Sequence, residues 1–175
     1  MTKSPCIYIG LCNPKSPSNV GAVMRAAGCY GVDAVHYSGE RFARSAKYHT
    51  DTKNITGKIP LTHNGNLATE QPEGMCIVCV ELAEGATPLP EFTHPDKALY
   101  IFGPEDGSIP QDILNYAHHV VYVPTIGCMN LAATVNVLLY DRLSKTAGMI
   151  NHEERIKKSR DINNRLIVKS KIKQQ

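Results

Sequence analysis

VPTIGCMNLAATVNVLLYDRL, residues 123–143, is the stretch on which the fold turns. The alternation through Val120, Val121, Tyr122 and Val123 reads as a short buried strand, which Pro124 and Gly127 bring to an end. From Leu131 onward the apolar residues cover every face of a helix. Leu131, Val135, Leu138 and Leu139 lie on one side, Ala132, Ala133, Val137 and Tyr140 on the other, and no charge appears before Asp141. Such a helix is expected to be buried, with a sheet on one side and a second helix or a second subunit on the other. Asn130 and Asn136 interrupt it, and a buried amide without a partner costs ~1–3 kcal/mol. Asn130 has two readings. It caps the helix, a position that favours Asn, or it closes a helix-entry loop with Cys128 and Met129 whose free backbone groups grip a ligand.

Four further strands alternate with helices upstream. Residues 6–12, CIYIGLC, are apolar on both faces, as in a sheet covered on both sides. The loop NPKSPSN then leads to a helix expected to begin at Val20, capped by Asn19 or Ser18 and ended by Gly28 and Gly31. Its buried stripe is Val20, Val23, Met24 and Ala27. Arg25 is the sole charge in the segment 20–32. It reads either as an arginine snorkelling to the surface or as one whose planar fork meets a phosphate at the rim of a cleft.

Residues 33–38, 75–82 and 97–102 are the second, third and fourth strands. A short helix is expected around 43–48, where Arg41, Arg44, Lys47 and His49 interleave with Phe42 and Tyr48. Charge for phosphates and rings for unpaired bases suit RNA, and a solvated helix face fits the same pattern. Residues 59–74 read as a weakly patterned connection, and Pro88, Pro90 and Pro95 argue against regular structure before the fourth strand. That strand delivers GPEDGSIP, residues 103–110, at its carboxyl end, where α/β sheets bind ligands. Glu105 places a carboxylate there, and Pro110 opens a helix, QDILNYAHH. The alternation predicts an α/β fold with a mostly parallel sheet covered by helices on both faces.

Composition removes several classes of function. A chain of 175 residues is long enough to bury a core without staples, and one core is expected. Its six Cys lie mostly within apolar stretches and read as reduced small hydrophobes. Cys76 and Cys79 are three apart in a strand, face opposite sides and have no second pair, so no metal is expected. No apolar run approaches the ~18–20 residues that cross a bilayer, and the opening runs straight into a strand, so a cytoplasmic protein without a membrane partner is expected. The lack of a Gly-x-Gly-x-x-Gly after any strand argues against a dinucleotide enzyme. Charge is divided unevenly. Residues 151–175 carry eight Lys/Arg against three acids, a net +5, whereas the first 150 residues carry 11 against 13, a net −2. A basic tail of this kind is either a solvated end or the footprint of a polyanionic substrate.

Three stretches in this order, NVGAVMRAA at 19–27, FGPEDGSIP at 102–110 and VPTIGCMNL at 123–131, resemble the signature motifs of the SPOUT methyltransferases of the SpoU (TrmH) type. The resemblance spans most of residues 6–143. It implies a methyltransferase domain over 1–150 with a C-terminal trefoil knot, a basic and helical tail over 151–175, and a homodimer. It implies S-adenosylmethionine as cofactor, S-adenosylhomocysteine as product, and methyl transfer to a ribose 2′-hydroxyl of RNA, with tRNA favoured over rRNA. An inactive RNA-binding protein on the same fold is the rival. The resemblance assigns cofactor binding to Val80, Glu81 and Leu82, to Gly103 and Glu105, and to Val123, Ile126, Gly127, Cys128, Met129 and Leu131. Asn19, Arg25, Glu105 and Asn130 form the transfer site. RNA binding is expected of Arg25, Arg41, Arg44, Lys47 and His49. The chain departs from the motif at Cys128 and Ala132, where many members carry Ser; a backbone contact by residue 128 would survive that change, whereas a hydroxyl contact would not.

Overall fold

The computed structural model describes residues 6–46, 59–146, 152–161 and 163–167. In chain order the elements are β1 (Cys6–Leu11), α1 (Pro17–Tyr30), β2 (Ala34–Tyr37), α2 (Arg41–Ala46), β3 (Leu61–His63), β4 (Cys76–Val80), β5 (Thr87–Pro88), β6 (Lys97–Phe102), α3 (Gln111–Leu114), β7 (His119–Tyr122), α4 (Leu131–Thr146) and α5 (His152–Ser159). The seven strands form one sheet in the order β3-β2-β1-β6-β4-β7-β5, and every neighbouring pair is parallel.

A parallel sheet needs cover on both faces, and the strand residues alternate to provide it. Ile9, Leu11, Val78, Tyr100 and Phe102 face a core closed by Val20 and Val23 of α1 and Val135 and Leu138 of α4. Ile77, Cys79, Leu99 and Ile101 face a second core closed by Leu67, Met75 and Ile113 of α3. Cys76 and Cys79 accordingly point to opposite faces. Strand β6 lies innermost, with Ala98 to Phe102 no more than 2% exposed. A cleft opens beyond the carboxyl ends of β4, β6 and β7, the usual end for a ligand in such sheets.

Several local expectations shift. Helix α1 begins at Pro17, not Val20, because the Ser16 side chain accepts the Asn19 N–H at 3.4 Å and Pro17 suits the first turn. It continues through Gly28 and ends only at Gly31, whose φ of 69° gives the left-handed cap. The helix expected over QDILNYAHH stops at Leu114, because His118 and His119 leave it to join β4 in the sheet. Two strands arise where none was expected, β3 within 59–74 and β5 at Pro88. Both are sheet edges. An edge strand needs hydrogen bonds on one side only, so it forms from a few residues and tolerates a proline.

Helix α4 runs to Thr146 and is buried on one side only. Leu131, Ala132, Val135, Leu138, Leu139 and Arg142 are buried, whereas Ala133, Asn136, Val137 and Tyr140 are exposed in the single chain. The expectation of burial all round is therefore not met within one subunit. Cys29 and Cys128 are also exposed, unlike the buried Cys12 and Cys79. The expected helix at 43–48 appears as α2, with Lys47, Tyr48 and His49 outside the described residues. In the basic tail, α5 is helical and residues 163–167 are not.

Candidate active site

Three loops meet beyond the carboxyl ends of β1, β6 and β7. The Glu105 carboxylate accepts the backbone N–H groups of Lys15 at 2.8 Å and Ser16 at 3.0 Å, and the Asn19 Nδ2 at 2.9 Å. Asn19 then turns its Oδ1 to Asn130 Nδ2, 3.1 Å away. Asn130 in turn uses its Oδ1 to accept Ala132 N–H at 2.9 Å and Ala133 N–H at 3.3 Å. Asn130 is thus the helix cap, the first of its two readings, and at the same time part of a wider side-chain network. Partial burial would raise the Glu105 carboxyl. The Asn19 amide and the Lys15 and Ser16 backbone N–H groups outweigh that effect and hold its pKa below the ordinary value.

Beside this network lies an open cleft, walled by the ends of β4, β6 and β7 and the first turn of α4. Of the expected cofactor residues, Val80, Glu81, Leu82, Gly103, Glu105, Val123, Gly127, Cys128, Met129 and Leu131 all line it. Ile126 does not. The Thr125 hydroxyl donates to the Gly127 carbonyl at 2.7 Å, and this tight turn throws the Ile126 side chain into solvent. Sequence reasoning missed Thr134, which lines the cleft one turn into α4, where a period of 3.6 brings it above Leu131. It also missed the task of Glu81. This carboxylate accepts Leu82 N–H at 3.0 Å and Ile109 N–H at 2.9 Å, tying the end of β4 to the loop after β6.

The basic residues fare differently. Arg25 is exposed on α1, does not line the cleft and makes no hydrogen bond or ion pair with a described residue. Arg41 is engaged within the protein: Nη1 reaches both Asp106 carboxylate oxygens at 2.8 and 3.0 Å, while Nε and Nη2 reach the Asn13 carbonyl at 3.0 and 2.6 Å. Arg44 is exposed. Lys47 and His49 lie outside the described residues. No group of three or more His, Cys, Asp or Glu that could hold a metal ion occurs among the described residues. No described helix is long and apolar enough to cross a membrane.

The family model of the SpoU rRNA Methylase family matches residues 6–140, from β1 well into α4. The chain belongs to the SpoU rRNA Methylase family. A curated relative, the tRNA (guanosine(18)-2'-O)-methyltransferase of Escherichia coli (strain K12), is 25% identical over 159 residues, covering 86% of this chain and 69% of that protein. Among solved structures, the AdoMet-bound rRNA methyltransferase of Sinorhizobium meliloti matches with a TM-score of 0.68 at 18% identity, over 83% of this chain and 59% of that one. A structure solved in a study of 2-OH methylation of C/U34 on tRNA matches with a TM-score of 0.70 at 22% identity, over 85% of this chain and 95% of that one. The shared SpoU fold implies the C-terminal knot as well.

Proposed function

We propose that this protein methylates a ribose 2′-hydroxyl of RNA, with tRNA as the favoured substrate, using S-adenosylmethionine and releasing S-adenosylhomocysteine. The observation that carries the reading is the hydrogen-bonded chain Glu105–Asn19–Asn130, which draws one residue from each of the three motifs to the edge of one cleft. Support for the 2′-hydroxyl and for tRNA comes from the E. coli relative, a tRNA 2'-O-methyltransferase, and from the structure solved in the study of 2-OH methylation of C/U34 on tRNA. A cytoplasmic location belongs to the same reading.

The cleft suits S-adenosylmethionine. Val80, Leu82, Met129 and Leu131 offer apolar surface to a flat base, and Glu81 and Glu105 offer negative charge to a diol and a cation. Gly103 sits in a tight place, since a Cβ there would lie 3.2 Å from the Ile109 nitrogen and 3.3 Å from Glu81 Oε2 and those neighbours would have to give by a few tenths of an ångström. When bound, the cofactor supplies a methyl group already activated on sulfur. The chain's own task is alignment of the ribose oxygen, which can contribute ~7–11 kcal/mol, and help with loss of its proton. Glu105, Asn19 and Asn130 form the polar edge that orients the reacting groups. Arg25 carries a guanidinium, which is a poor base. It instead fixes a substrate phosphate and stabilises negative charge growing on the oxygen.

Arg25 stands outside the cleft in one subunit, and α4 leaves Val137 and Tyr140 exposed. Both features support a homodimer in which Arg25 serves the partner's cleft. Arg44 and the basic tail would contribute to RNA grip.

The test is incubation with S-adenosylmethionine labelled in the methyl group and bulk tRNA, with rRNA in parallel, followed by digestion to nucleosides. Label in a 2′-O-methylnucleoside from tRNA is expected. Label from rRNA alone changes the substrate, and cofactor binding without label makes the protein an RNA binder on this fold. Arg25→Ala should lower transfer on the order of 100-fold while leaving cofactor affinity nearly intact. Mixing it with a Gly103→Val variant should restore part of the activity if the site is shared between subunits. Normal turnover by Arg25→Ala would remove the residue from the mechanism.

A further inference from the structure

Arg41 opens α2, in a segment whose basic and aromatic composition suits RNA, yet its guanidinium is turned inward onto two loops of the transfer site. Nη1 donates to both oxygens of Asp106, and Nε and Nη2 converge on the Asn13 carbonyl, so little of its donor capacity is left for a phosphate. Asp106 is the neighbour of Glu105. Asn13 lies two residues before Lys15, and the backbone N–H groups of Lys15 and Ser16 are held by Glu105. The guanidinium therefore ties the β1–α1 loop to the β6–α3 loop at a point beside the bonds that orient Asn19.

The junction is built for this contact. Asn13 has a φ of 40°, the sole positive value outside glycine among the described residues. Opposite it, Gly39 has a φ of 74°, and a Cβ there would fall 2.3 Å from Asn13 Oδ1. Only a glycine at 39 lets Asn13 come so close, and Asn13 Oδ1 also accepts the Arg41 N–H at 3.4 Å. Lys15 Nζ adds a looser contact to Asp106 at 3.6 Å. The Arg41 hydrogen bond and charge hold the Asp106 carboxyl below its ordinary range.

We infer that Arg41, through Asp106 and the Asn13 carbonyl, is a positioning residue for methyl transfer: it locks the two loops that present Asn19 and Glu105. Its role in transfer rests on the function proposed above. A contact made inside the protein and a contact made to RNA respond differently to removal of Asp106. Losing Asp106 breaks the clamp in the first case and merely frees the arginine in the second.

The experiment compares Arg41→Ala, Asp106→Ala, the double variant and Arg41→Lys for kcat, for KM toward tRNA and its salt dependence, and for amide hydrogen exchange at Lys15 and Ser16. The clamp predicts that each single variant loses kcat by roughly 10- to 100-fold, the scale of a small misplacement near the reacting atoms, with KM for tRNA little changed. The double variant should be no worse than either single one, because both remove the same link. Arg41→Lys should fail to rescue, since one ammonium cannot span Asp106 and Asn13 as the fork does. A rise in KM and a shallower salt slope in Arg41→Ala, with kcat intact in Asp106→Ala, would overturn the inference and make Arg41 a phosphate contact. If the wild-type protein transfers no methyl group to any RNA, the functional reading fails and exchange alone decides the clamp: faster exchange at Lys15 and Ser16 in both single variants supports it, and unchanged exchange sinks it.

Discussion

Helix α4 begins in one polar network and ends in another, and the two differ in burial. At its start, Asn130, Asn19 and Glu105 form a chain open to solvent. At its end, the side chain of His94 is 0% exposed, and Tyr100 and Arg142 are buried with it. The buried network has one self-consistent arrangement of protons. Arg142 Nη1 donates to Tyr100 Oη at 2.8 Å, Tyr100 donates to His94 Nδ1 at 2.7 Å, and His94 Nε2 donates to Asp141 at 2.8 Å. Arg142 also reaches the carbonyls of Pro95 and Asp96, and Lys145 reaches those of Leu89 and Phe92. Burial demands such completeness, because an unpaired polar group in an apolar surround loses its water without replacement. The open network competes with water at every step, so its stability contribution is small and its value lies in orientation. One end of the helix is anchored so that the other can present Asn130.

That contrast makes separable predictions. Arg142→Ala should have the largest effect on folding, about 3 kcal/mol, since it removes a donor from the buried Tyr100 hydroxyl and from the Pro95 and Asp96 carbonyls and leaves a void where a buried side chain stood. Chemical denaturation measures it, and a loss below about 1 kcal/mol would mean that the buried end is no anchor. Asn130→Ala should destabilise by only about 1 kcal/mol, the usual effect of a lost helix cap. The same variant should lower methyl transfer on the order of 100-fold. Equal losses at the two levels would erase the distinction between the ends.

The smallest effect is one of pH. Burial lowers the His94 pKa, aided by the Arg142 and Lys145 charges and opposed by the bond and charge of Asp141. Folded His94 therefore stays neutral at a pH where the unfolded chain has already taken up a proton. Its contribution to stability is fully present above the ordinary histidine pKa of about 6.5 and is lost as pH falls from there through the folded value. Stability curves should show this decline in the wild-type protein and a shallower one in His94→Gln. Glu105 supplies the counterpart at the open end. Its folded pKa lies below the ordinary carboxylate value, so its contribution is present above that value and lost as pH falls further. On acidification the histidine decline should set in first, because it starts from the higher ordinary pKa.

Much of the fold was legible because its signals are local. The apolar runs of β1, β4 and β6 announce buried strands, the apolar stripe of α1 announces its packing face, and the motif stretches at 19–27, 102–110 and 123–131 announce the family. The edge strands β3 and β5 were not legible, since three and two residues are too few to show a period. Asp106 stood in plain view inside a quoted motif, yet nothing near it pointed to Arg41, 65 residues away. Nothing along the chain singles out Arg142 in the last turns of α4, and only its contacts with Tyr100, Pro95 and Asp96 make it a core residue.

By itself, the sequence determined the α/β class, the order of most elements, the family, and which side chains are equipped for the chemistry. Tertiary structure decided which of those side chains meet. Asn19 pairs with Glu105 across 86 residues and with Asn130 across 111, Arg41 is drawn from the surface into a clamp, and Arg25 is left outside its own cleft. The physical reason is one of range. Hydrophobic periodicity and backbone preference act over a few residues and are written along the chain, whereas hydrogen-bond partners at loop junctions are set by how the sheet brings its strand ends together.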